Sequence, residues 1–185
     1  MKEQITLQLA KLTQAKEIHN LMQFVYHEIT DKDIFVCDDL LYVEKHIQEQ
    51  GFIVIAKKKQ ETIVGCLVVH IPGEQEDNLG FDIELNRDER TRVAHMDSAV
   101  VHPRYRGMGL QGKMIVFAEK ILWEKWKDQK KSPFYFLSTV SPENPASYRT
   151  LEKQGYIHVC TKEKYGGLER RIYCKQLFCI PQQSN

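Results

Sequence analysis

Ile5, Leu7 and Leu9 alternate with polar residues, the pattern of a half-buried strand. Thr13 is placed to cap a helix running to about Glu28, with Ile18, Leu21, Met22, Val25 and Ile29 at helical spacing. Asp38 or Asp39 can cap a second helix that carries Leu40, Leu41, Val43 and Ile47, and Gly51 is placed to close it. Apolar runs at 52–57 and 62–71 flank a polar turn at 58–61 and predict an antiparallel hairpin. Residues 72–78 read as a polar loop, and 81–92 carry no usable pattern. A strand is expected over 92–101, a long helix over 110–127, and a strand apolar on both faces over 134–140. A helix over 144–154, stopped by Gly155, and strands over 156–160 and 170–177 complete the chain. The order β-α-α-β-β-β-α-β-α-β-β predicts an α/β fold with both parallel and antiparallel pairs.

Composition narrows the class without naming a chemistry. The 185 residues fit one domain spanning 1–185, and 42% hydrophobic with 28% charged residues is the balance of a soluble globular chain. A formal net charge of +1 supplies no global field toward nucleic acid or an acidic membrane, so neither is expected as a partner. Cys37, Cys66, Cys160, Cys174 and Cys179 form no CxxC pair and read as small buried hydrophobes in a reducing compartment. Clustered Cys/His ligands are absent from the sequence, so no metal is expected. The start, Met1-Lys2-Glu3-Gln4, has no signal-peptide core, and no apolar run approaches the ~20 residues needed to span a bilayer. A cytoplasmic location is expected.

The stretch Val101-His102-Pro103-Arg104-Tyr105-Arg106-Gly107-Met108-Gly109-Leu110-Gln111-Gly112-Lys113 lies between a strand and a helix. Its glycines let a ligand approach the backbone, and the helix start presents unpaired amides and a positive dipole end. Arg104, Arg106 and Lys113 add charge, so the segment reads as an anion site, best matched to a pyrophosphate. Gly107 to Lys113 also has P-loop spacing, but Met114 stands where Ser or Thr should hold magnesium.

The string Arg104-x-x-Gly107-x-Gly109, preceded by Val101-x-Pro103-x-Tyr105, resembles the coenzyme A loop of the GNAT superfamily of N-acetyltransferases. Ser138 to Asn144, Ser147 and the pair Gly155-Tyr156 extend the resemblance, which spans residues 92–156. It implies a GNAT-like mixed sheet of about seven strands with a splayed central pair and about four flanking helices. It also implies acetyl-CoA as cosubstrate. The backbone of Ala99, Val100 and Val101 would pair with the pantetheine arm, and the amides from Arg106 through Gly107, Met108, Gly109, Leu110, Gln111 and Gly112 would hold pyrophosphate. Asn144 and Ser147 would contact pantetheine, although Asn144 also reads as a plain helix cap. Many relatives carry a third glycine where Gln111 stands, and their general-acid tyrosine falls at Leu151.

The strand before the loop offers a base. His95, Asp97 and Ala99 are expected on one strand face, and a carboxylate or imidazole there can deprotonate an incoming ammonium. Tyr148, about one helical turn before Leu151, is the expected stand-in for the acid that protonates the departing thiolate. His102 reads as structural, and Trp123 and Trp126 as a helix end packed on the core. Tyr165-Gly166-Gly167 reads as a loop on the acceptor side. The expected activity is acetyl transfer to a primary amine of a small or peptide acceptor by direct attack, with the oxyanion held by a backbone amide near Val101. A non-catalytic acyl-CoA-binding module and a P-loop hydrolase are the rival readings. The acceptor is unreadable in the sequence, and a homodimer is left open.

Overall fold

The computed structural model describes residues 4–58, 62–129 and 132–178. Most of the turn expected over 58–61, the end of the basic 127–131 segment and Cys179 lie outside them. Seven strands form one sheet: β1 (Ile5–Leu9), β2 (Gly51–Lys58), β3 (Ile63–His70), β4 (Val93–Val101), β5 (Phe134–Val140), β6 (Ile157–Lys164) and β7 (Leu168–Leu177). Their order is β1-β2-β3-β4-β5-β7-β6, and every neighbouring pair is antiparallel except β4–β5, which is parallel.

Helices α1 (Ala15–Glu28) and α2 (Leu40–Gln48) cover one face, where Ile18, Met22 and Val25 meet Ile53, Ile55, Cys66 and Val68. Helix α4 (Leu110–Trp126) covers the other with α5 (Pro145–Lys153), and Met114, Ile115, Ala118 and Leu122 are buried there. Trp126 stacks on Phe134 at 5.0 Å, so the helix end packs on the core as its pattern predicts. The stretch 81–92 contains one short helical turn, α3 (Arg87–Arg90), held by a capping box between Asn86 and Glu89.

Two helix-end expectations are corrected. Thr13 does not cap α1: it sits inside a 3₁₀ turn (Leu12–Gln14), and α1 begins after Gln14 without a side-chain cap. At α2 the choice resolves to Asp39, whose carboxylate accepts from the Tyr42 amide at 2.8 Å. Gly51 opens β2 rather than closing α2, because a Cβ there would lie 1.9 Å from the Val69 carbonyl oxygen. Strand β6 runs on to Lys164, so 165–167 is a tight turn between β6 and β7.

The consequential difference is in β4. Met96 pairs with Val69 and Ala99 with Leu67, so Asp97 and Ser98 together oppose Val68 in a β-bulge. A bulge inverts the facing of everything beyond it. Ala94 and Met96 face α4 before it, Ala99 and Val101 face α4 after it, and Val100 faces the α1–α2 side. His95 and Asp97 therefore do not share a face with Ala99, contrary to simple alternation.

Candidate active site

The bulge bends β4 away from β5. Their parallel pairing covers only Val93, Ala94 and His95, whereas β5 stays paired with β7 as far as Val140. The Ser138 hydroxyl donates to the Met96 carbonyl at 2.7 Å, where the two strands part. A cavity of about 390 Å³ opens beyond that point, reaching Gln111, Asn144 and Ser147 at one end and Asp38, Asp97 and Tyr165 at the other.

The 102–112 segment stands beside the first end. His102 accepts from the Arg104 amide at 3.2 Å and stacks on Phe24 at 5.0 Å, a structural role that starts a 3₁₀ turn (Pro103–Tyr105). The Arg106 amide donates to Pro103 at 3.2 Å, so it is already engaged. The amides of Gly107, Met108, Gly109, Leu110, Gln111 and Gly112 have no acceptor among the described residues, since the first capping bond runs from Lys113 to Gly109 at 3.1 Å. Gly109 precedes α4 with φ 69°, a left-handed conformation that only glycine adopts cheaply. Nothing lies within 4 Å of the Cβ position at Gly107 or Gly109, so the loop surface is open. The guanidinium groups of Arg104 and Arg106 are exposed, with no ion-pair partner among the described residues.

Gly112 answers to packing: a Cβ there would come within 2.9 Å of the Gln154 side chain, where α4 crosses α5. Gln111, in place of a further glycine, donates from Nε2 to Ser147 Oγ at 3.0 Å and ties the two helix starts together. Asn144 Oδ1 accepts from the Ser147 amide at 3.2 Å, so it caps α5 and keeps Nδ2 uncommitted. The backbone of Ala99, Val100 and Val101 stays paired to β3, with no strand on its other edge.

The opposite end is acidic. The Tyr42 hydroxyl donates to Asp97 Oδ2, and Asp38, from the segment before α2, lines the same space. Burial, then the Asp97 and Asp39 carboxylates, push the Asp38 carboxyl up to about 6. Burial and Asp97 likewise drive the Tyr42 hydroxyl far above its ordinary range, so it stays a donor. Behind them lies a chain of buried histidines. His46 Nδ1 donates to the Tyr42 carbonyl at 2.8 Å, which leaves its Nε2 to accept from His70 Nδ1 at 3.1 Å. His95 Nε2 accepts from the Leu79 amide at 3.1 Å, and burial holds its pKa well below the usual imidazole range. Its accepting lone pair is occupied by the protein's own backbone.

Asp97 and His95 both line the cavity. Tyr148 does not line it: its ring lies 4.9 Å from the Arg171 guanidinium on the α5 side. Leu151 lines it instead. Sequence reading gave Asp38 only as a candidate helix cap, assigned no role to Tyr42 or Arg170, and placed Tyr165 in an acceptor-side loop without a chemical role. The Tyr165 hydroxyl is 2.8 Å from Thr139 Oγ1, and burial, then Asp97, push it up to about 12. Its φ of 53°, rare outside glycine, was the one local signal, and it is not legible in sequence.

The family description "Acetyltransferase (GNAT) family" matches residues 15–156, most of the chain. No curated protein matches it. Solved structures share the fold over nearly all of the chain. The ribosomal-protein-S5-alanine acetyltransferase of Vibrio fischeri aligns with TM-score 0.67 and 14% identity, over 95% of this chain and 94% of that one. A variant of the spermidine N-acetyltransferase of Vibrio cholerae gives 0.62 and 16%, over 94% of each. A Salmonella typhimurium protein solved with its cofactor acetyl-CoA gives 0.60 and 15%, over 98% of each. The chain belongs to the GNAT acetyltransferase family, and its class is that of the acyltransferases. Among the described residues no helix is long and apolar enough to cross a membrane, and no group of side chains is arranged to hold a metal ion.

Proposed function

We propose that this protein is an N-acetyltransferase that moves the acetyl group of acetyl-CoA to a primary amine by direct attack. The observation that carries the reading is the β4–β5 split, which opens a cavity beside a row of amides without acceptors among the described residues and lined farther on by Asp38 and Asp97. The residues present fit the cosubstrate: among the described residues, six consecutive amides without acceptors, two arginines without partners and an unpaired strand edge match pyrophosphate and a pantetheine arm. Bound acetyl-CoA would supply an acetyl thioester.

Gly107 to Gly112 would hold the pyrophosphate through backbone amides, and Arg104 and Arg106 would add attraction. Ala99, Val100 and Val101 would offer the pantetheine arm the free edge of β4, with Asn144 Nδ2 and Ser147 facing it from α5. Asp97 is the base we assign. Tyr42 donates to one of its oxygens and fixes the carboxylate, and the other oxygen is open to the ammonium proton. Asp38 supplies a second proton site that changes charge near pH 6. Tyr165, whose hydroxyl reaches the cavity, is a better-placed donor for the departing thiolate than Tyr148. His95 holds the Leu79 segment and is not assigned proton transfer.

A thiol-release assay over a panel of amines tests the reading. Turnover is expected with at least one amine, and Asp97→Asn is expected to lower it about 100- to 10,000-fold with acetyl-CoA affinity unchanged. Tight acetyl-CoA binding with no turnover on any amine would establish a non-catalytic acyl-CoA-binding module instead.

A further inference from the structure

The acidic end of the cavity also contains a cation. Arg170, on β7, is 4% exposed and lines the cavity with Asp38, Asp97 and Tyr165. Its Nη1 donates to the Glu169 carbonyl at 3.0 Å and its Nη2 to the Asp33 carbonyl at 2.5 Å. A guanidinium has five N–H donors, so three remain without an acceptor among the described residues. None of those residues brings a carboxylate within ion-pair distance: Asp33 bonds through its carbonyl, and the Asp33 and Asp31 carboxylates attract the guanidinium only from farther away.

A buried charge without a carboxylate hydrogen-bonded to it is costly, and proteins rarely keep one without use. The neighbouring cation is not in the same position, because Lys164 is paired with Asp82 at 2.6 Å. Tyr165 covers the Arg170 guanidinium at 5.6 Å and directs its hydroxyl to Thr139, which positions the cation from one side without neutralising it. The phosphates are an unsuitable counter-ion, since the 107–112 amides that fit them stand at the other end of the cleft and Gly107, Met108 and Gly109 do not line the cavity. A second anion, brought by the acceptor, is what the site lacks.

Building on the acetyl-transfer reading, we propose that the acceptor is an amino acid or a similarly zwitterionic amine, its ammonium received by Asp97 and Asp38 and its carboxylate by Arg170. A planar guanidinium suits this task, because two parallel N–H donors match a carboxylate's two oxygens. A polyamine fits poorly, because a second ammonium would face the Arg170 guanidinium.

Acceptor pairs that differ only in the carboxylate test this: L-lysine against cadaverine, L-phenylalanine against phenethylamine, and each amino acid against its amide. Binding to the CoA-saturated protein by calorimetry is measured beside thiol release with acetyl-CoA. At least one amino acid is expected to exceed its decarboxylated and amide partners about 10- to 100-fold in affinity and in kcat/KM, the size of a lost charge-assisted hydrogen-bonded pair. Arg170→Gln should collapse that ratio through KM, and Arg170→Lys should restore part of it. The wild-type comparison needs no variant, so a folding defect at Arg170 does not blunt it. Selective binding of amino acids without thiol release would uphold the carboxylate site and overturn the transfer reading. Equal binding and turnover of both members of every pair, binding of neither, or an Arg170→Gln ratio equal to wild type would overturn the zwitterion proposal.

Discussion

Asp38 is the residue at which the fold sustains a cost for the sake of its site, and that cost can be measured. Its carboxyl rises from an ordinary 3.8 to about 6, by burial first and by Asp97 and Asp39 next. A raised acid pKa means that the folded state favours the protonated form. Stability contributed by this group is therefore full below pH 3.8 and is lost as pH rises through about 6. A displacement of about two pH units corresponds to about 3 kcal/mol, and screening by solvent at a half-buried side chain reduces this to about 1 kcal/mol. Asp38→Asn removes the charge with little change in size, so the change is close to purely electrostatic. At pH 8 the variant should be more stable than wild type by about 1 kcal/mol, or about 2–4 °C in Tm for a chain of this size. At pH 3.5 the two should melt together. The same substitution should slow acetyl transfer and remove the limb near pH 6 from the pH–rate profile. Thermal melts at both pH values, with rates from pH 5 to 9, decide it. An Asp38→Asn protein that melts at or below the wild-type temperature at pH 8 would refute the account.

Gly109→Val should weaken acetyl-CoA binding about tenfold, because a side chain at φ 69° costs about 1–2 kcal/mol and crowds an open amide surface; calorimetry on the folded variant checks it. Acetyl-CoA affinity should also fall between low and physiological ionic strength, since Arg104 and Arg106 are exposed cations; a salt-independent Kd would exclude a phosphate role for them. Tyr165→Phe should slow single-turnover transfer while Tyr148→Phe leaves it unchanged, and the reverse order of effects would return the acid role to α5.

The loop proposed to bind acetyl-CoA could be singled out in the sequence because it is local. Val101 to Lys113 is one strand-loop-helix unit, and glycine spacing, charge and unpaired amides there follow from neighbours along the chain. The order of elements was equally readable, since periodicity reports which face of a segment is buried. The proposed acceptor end was not readable, for two physical reasons. Asp38, Asp97 and the pair Tyr165 and Arg170 come from three separate segments, and only the assembled sheet brings them to one cavity. The β4 bulge, moreover, is a property of pairing with β3: Asp97 and Ser98 oppose one residue, the alternation inverts, and Ala99 leaves the face that His95 and Asp97 share. Sequence alternation carries no mark of that event, because a bulge changes which partner a residue meets and not which residue it is. Likewise His95 was a credible base until the fold set the Leu79 amide against its Nε2, and Tyr165 was a loop residue until the β6–β7 turn aimed its hydroxyl at Thr139.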